Sequence, residues 1–256
     1  MEHRGRGRST HTVRLRALSA MLMAWTEEVA GGMVVQSIND EGPEAMAKRP
    51  APPSATEEEV RALLERYRCP VPFHEVRTRF LGNVATPLMS ASPIKMVEGL
   101  WSVSSMDEAN ELIDALIMGL WNQLTRHQKR SAPFRLTRPD VAATREGLAT
   151  LTLIRRQELD GFVEGLFGTE KTLDLPERAH RSLNVLGELR SLIEGARDVA
   201  LDGSKAAGAS DIEETLQHMK EMTRIAEHEM HAVVLSCKRA RRDMLASLPA
   251  RKPTLH

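Results

Sequence analysis

The chain has 256 residues and its charges balance, 35 basic against 35 acidic, so no global field draws it to nucleic acid or to a membrane surface. It is long enough to bury a large core without staples, and no run of about 18 apolar residues predicts a membrane-spanning helix. With only two cysteines, Cys69 and Cys237, it is neither a disulfide framework nor a Cys-rich zinc module, and a reducing cytoplasm is the expected setting.

Residues 1–55 read as a loosely attached, disordered extension and linker. Arg4, Arg6, Arg8, Arg14 and Arg16 precede the apolar stretch ALSAMLMAW (17–25), as in a signal peptide, but TEEV follows where a small-residue cleavage site belongs. A short amphipathic helix over 13–29, stopped by Gly31 and Gly32, is expected instead, and a later start at Met33 or Met46 fits the same residues. Pro43, Pro50, Pro52 and Pro53 give 39–55 the composition of a linker. The excess of arginine over lysine, 27 to 8, suggests a GC-rich bacterial genome.

From Thr56 the pattern is helical. A hydroxyl or carboxylate at an N-cap satisfies orphan amides, and an acid three residues on reaches back. This signature appears four times: Thr56 with Glu59, Ser105 with Glu108, Asp174 with Glu177, and Ser210 with Glu213. Pro93 and Pro139 sit where a first-turn proline starts a helix, and Gly168 and Gly203 where a helix ends. A further short helix is expected near 73–82, in a segment broken by Pro70, Pro72, Gly82 and Pro87. No stretch alternates with period two. The fold class is therefore all-α: a helical bundle over 56–248 with three long C-terminal helices of about 28, 27 and 36 residues, short connections, and a flexible tail at 249–256. The echoes EGLW (98–101), MGLW (118–121) and EGLF (164–167) read as glycines that let helices approach beside core aromatics rather than as a ligand pocket.

On the last helix the apolar steps of four and three run Ile212, Leu216, Met219, Thr223, Ala226, Met230, Val233, Cys237, Ala240 and Met244, a heptad seam of the coiled-coil kind with Cys237 as a small buried hydrophobe. Glu227, His228, Glu229 and His231 carry atoms that ligate metals, but His228 falls opposite the seam and His231 to one side, and neither HExxH nor Cys-x-x-Cys occurs. No metal and no cofactor is expected. The helix runs from a net −4 over 206–235 to +3 over 236–248, which its macrodipole favours, so KRARR (238–242) does not require nucleic acid. Opposite the seam, Ile225, Ala232 and Leu235 make a second apolar stripe with His228 between them, rimmed by Glu229, Arg239 and Arg242. That pattern predicts a partner interface, most simply a homodimer, whose histidine would confer pH sensitivity near the ordinary value of about 6.5.

The segment TRHQKRSAPFRLTR (125–138) holds Arg126, Lys129, Arg130, Arg135 and Arg138 without an acid, and Phe134 among them. Such a loop can follow a phosphate backbone and stack a base, or it is a solvated turn whose bases pair with nearby acids. There is no nucleophile elbow, no Walker loop and no dinucleotide fingerprint, and Glu158 and Asp160 lie on different faces of one helix, which is poor geometry for shared acid and base work. The leading reading is a non-enzymatic cytoplasmic helical protein acting through protein contacts as a regulator, adaptor or scaffold. The alternatives are a nucleic-acid-associated protein using 125–138, and a metal-binding or enzymatic bundle.

Overall fold

The computed structural model describes residues 55–88, 91–100, 105–202 and 209–247, all within the part of the chain from Ala51 to His256. The readings of 1–54, of Gly203, of Trp101 and of the tail lie outside the described residues. Among those described there is no strand, and the fold is all-α.

Helix α1, Glu57–Arg66, begins with the expected capping box: Glu59 N donates to Thr56 Oγ1 at 3.2 Å, and Thr56 N donates back to Glu59 Oε2 at 2.7 Å. It buries Val60, Leu63 and Leu64. Helix α2, Phe73–Ala85, runs unbroken through Gly82, which by sequence alone is expected to break it. Helix α3, Pro93–Leu100, starts at its proline, with Ile94 N donating to Ser92 Oγ at 3.3 Å. Helix α4, Met106–Leu112, is capped by Ser105 and continues as a wider π-helical stretch, Ile113–Trp121. It returns to α pitch over Asn122–Leu124 and tightens to a 3-10 turn at Thr125–Gln128. The apolar pattern anticipates the rod but not its changes of pitch.

The three long C-terminal helices are α5 (Arg145–Phe167), α6 (Glu177–Leu201) and α7 (Ala209–Ser247), of 23, 25 and 39 residues. Three expected starts are corrected. Helix α5 does not begin after Pro139; it begins where Thr144 Oγ1 accepts from Gly147 N at 3.1 Å, after a local turn in which Thr144 N donates to the Ala142 carbonyl at 2.8 Å. Asp174 does not cap α6, whose first turn follows Pro176 with no side-chain cap, and Glu177 pairs with Arg181 instead. Ser210 already lies inside α7. The expected stop at Gly168 stands: its φ is 57°, a left-handed conformation that glycine adopts at no steric cost.

Helix α5 packs against α2 on one side and α6 on another. Ion pairs Arg190–Asp160 at 2.5 Å and Arg156–Glu194 at 3.5 Å, with Arg145 donating to the Val199 carbonyl at 2.9 Å, fix α6 antiparallel to α5. At the α2–α5 crossing the backbones nearly touch. A Cβ on Gly165 would stand 1.8 Å from Arg79 O, and one on Gly82 would stand 2.2 Å from Phe162 O. The glycine of EGLF is thus a close-approach residue, as expected. The seam of α7 is buried from Ile212 to Cys237, while Ala240 is half-buried and Met244 exposed. It faces α2, α5, α6 and the 3-10 turn, so it forms part of a globular core rather than a two-stranded coiled coil.

Candidate functional site: the strap and the last helix

Residues 133–142 run between the 3-10 turn and α5 without regular secondary structure, as a strap that buries its own Phe134 and Leu136. A segment without helix or sheet partners must find acceptors and donors for its backbone elsewhere, since a buried unpaired N–H or C=O costs about 1–3 kcal/mol. Helices α2, α5 and α7 supply them. Leu136 N donates to Glu227 Oε1 at 2.9 Å, and Thr137 N donates to Glu158 Oε1 at 2.8 Å. The Arg135 carbonyl accepts from Arg77 Nη2 of α2 at 2.8 Å, and the Thr137 carbonyl accepts from Arg155 Nη2.

Two carboxylates therefore act as hubs. Glu227 also accepts from Arg135 Nη1 at 2.8 Å and Arg138 Nη2 at 2.6 Å. Glu158, 0% exposed, pairs with Arg155, 2% exposed, whose Nε donates to Thr223 Oγ1 at 2.9 Å. Burial pulls the Arg155 guanidinium below its ordinary pKa, with the Glu158 carboxylate opposing. The RxxE spacing on α5 is visible in the sequence, and Arg155 lies in line with Leu148, Leu151, Leu159 and Phe162; what the sequence does not show is the partners, Thr223 and the Thr137 carbonyl, that let the pair be buried. Asp160, two residues from Glu158, points away to Arg190, as the helical geometry required.

The basic loop divides in two. Arg126, Lys129 and Arg130 are exposed. Arg135 and Arg138 remain 64% and 58% exposed but are tied to Glu227. Phe134 is 1% exposed and is a core residue, not the open ring that stacking on a base requires. The Arg77 guanidinium lies 4.7 Å over its ring, and His127 meets it edge-on at 5.2 Å. The second reading of this loop, a turn whose bases pair with nearby acids, describes Arg135 and Arg138.

On α7 the four residues read as possible ligands separate. Glu227 belongs to the strap, Glu229 pairs with Arg178 of α6 at 3.0 Å, His228 is exposed, and His231 is half-buried with neither ring nitrogen hydrogen-bonded. Among the described residues no three metal-ligating side chains cluster. Burial pushes the Cys237 thiol up to about 12, so it is an inert hydrophobe at neutral pH. The basic end of α7 reaches into other elements: Arg241 donates to the Thr86 and Val84 carbonyls at 3.1 and 3.2 Å, closing the C-terminus of α2, and Lys238 donates to the Gln128 carbonyl at 3.2 Å. These basic side chains thus serve specific carbonyls as well as the helix macrodipole.

The outer stripe remains on the surface in part. Ile225, Ala232 and Leu235 are half-buried; of the expected rim Arg239 and Arg242 are exposed, but Glu229 is buried against Arg178 and does not belong to it, while Glu221 and Arg224 are exposed nearby. Between the stripe and the strap lies a cavity of about 540 Å³ bounded by Pro133, Phe134, Ile225, Glu227, His228 and His231. No helix among the described residues is long and apolar enough to cross a membrane. Comparison with protein-family models, with characterised proteins and with solved structures finds no match.

Proposed function

We propose that the chain is a non-enzymatic helical protein that works through contacts with other proteins, and first of all with a second copy of itself. The surface is the outer stripe of α7, centred on Ile225 and Leu235, with Ala232 between them and His228 at the edge. The observation that carries this reading is the two-sidedness of α7: its seam is closed by α2, α5 and α6, yet a second apolar row stays partly open on the far side. A helix needs only one apolar row to join a core. Exposed charges ring the open row, as a polar rim surrounds the dry centre of an interface. Cys69 and Cys237 are both free thiols, which supports a reducing, cytoplasmic setting.

Light scattering on the wild type and on the double variant Ile225→Glu with Leu235→Glu tests this reading. The expected result is a wild-type mass of about twice the 28.5 kDa chain and a variant that keeps its helical circular dichroism at the mass of one chain. A wild type that is monomeric at all concentrations, or a variant that unfolds outright, would show the stripe to be part of the core.

A further inference from the structure

The strap is fastened at its start by a histidine that has no room to be charged. His127 is 7% exposed, at the end of the 3-10 turn. Its Nδ1 is 2.8 Å from the Ala132 carbonyl, so that nitrogen carries the proton and closes the turn between residues 127 and 132. Its Nε2 is then the unprotonated nitrogen, and it accepts from Arg126 Nε at 3.4 Å. Adding a proton at Nε2 sets one N–H against another and places a cation against Phe134, whose ring already carries the Arg77 guanidinium.

The Ala132 carbonyl favours the charged ring, but three elements present a base to it. Arg126 comes from its own turn, Arg77 from α2 and His231 from α7, and each disfavours the charged ring. Lys238 of α7 sits on the carbonyl of the adjacent Gln128. The acids within reach are already engaged: Glu57 of α1 by Arg77 at 3.2 Å, and Glu227 by Arg135, Arg138 and the Leu136 amide. Burial first and the neighbouring His228 second hold His231 of α7 below its ordinary pKa, with the Arg130 backbone opposing.

We propose that His127 is a proton-operated latch: charging its imidazole loosens residues 129–138 against the last helix and exposes the buried ring of Phe134. Burial, above all, holds the His127 pKa below its ordinary value. A base with a lowered folded pKa leaves the closed strap at full stability above about pH 6.5, the unfolded histidine value, and withdraws that stability as the pH falls below it. The latch is local, because α2, α5 and α6 pack without the strap and local openings cost less than global unfolding.

Hydrogen exchange of the full chain at pH 7.5 and 5.0, with rates corrected for intrinsic pH dependence, reads the latch directly. The expected result is a loss of protection of about tenfold in peptides spanning 128–138, with none in peptides from α5, and no such loss in His127→Asn, whose amide keeps a donor for the Ala132 carbonyl without taking a proton. Arg126→Gln, on an exposed side chain, removes the donor that opposes Nε2 and is expected to cut the loss to about threefold; it serves if the asparagine variant does not fold. Equal protection of 128–138 at the two pH values, an equal loss in α5, or a full loss surviving in the variant that folds would each overturn the latch.

Discussion

Where α2 crosses α5, the contact is made by what glycine lacks, whereas the strap is held to α5 and α7 by charges taken out of water. Gly82, Gly161 and Gly165 contribute no side chain, and the two backbones close to distances at which a single Cβ has no place. At the strap, Glu158 and Glu227 carry full carboxylates into the interior and have every near donor directed at them. The first contact is steric and has one tolerable solution. The second is a set of mutually dependent charges, and its cost appears only when one member is removed.

The largest expected effect lies on the electrostatic side. Arg155→Met leaves the Glu158 carboxylate buried without its cation, and the expected loss is about 4 kcal/mol in urea unfolding. The double variant Arg155→Met with Glu158→Met is expected to recover at least half of that loss, because no uncompensated charge remains. Additive losses would show that the two side chains act separately.

The crossing is expected to respond next, and with a sign that helix propensity alone would reverse. Alanine at an exposed helical glycine stabilises by about 1 kcal/mol. Gly165→Ala places its methyl 1.8 Å from the Arg79 carbonyl oxygen and is expected to destabilise by about 3 kcal/mol in the same assay. A second substitution that removes a partner cannot repair this contact, since the obstructing atom is backbone. A neutral or stabilising Gly165→Ala would mean that the helices have room to move apart, and the contrast between the two regions would fail.

Much of this architecture was legible in the sequence because it is written locally. Thr56 with Glu59, Ser105 ahead of Met106, Pro93 and Gly168 mark helix ends within four residues of themselves, and the seam from Ile212 to Cys237 marks a buried face by period alone. What was not legible depends on residues far apart in the chain. Pro139 reads as the start of α5 because nothing near it says that Glu227, some ninety residues on, claims the Leu136 amide, and the helix waits for the Thr144 cap. Gly82 looked like a breaker because its reason, the α5 backbone, lies eighty residues away. Asp174 had the cap signature and does not cap, since Pro176 already supplies the extended entry to α6. In the basic loop, composition correctly suggested cations on a turn, but only packing shows that Phe134 belongs to the core and that two of the arginines serve Glu227.

The central claim is that carboxylates of α5 and α7 replace a sheet partner for the strap, with Glu227 as the principal fastener. Amide exchange in Glu227→Gln, followed residue by residue by NMR at pH 7.5, tests it most directly. The account predicts that the Leu136 amide exchanges about tenfold faster than in the wild type, while Thr137, held by Glu158, and the interior amides of α2 and α5 change little. A Leu136 amide as protected in the variant as in the wild type would contradict it.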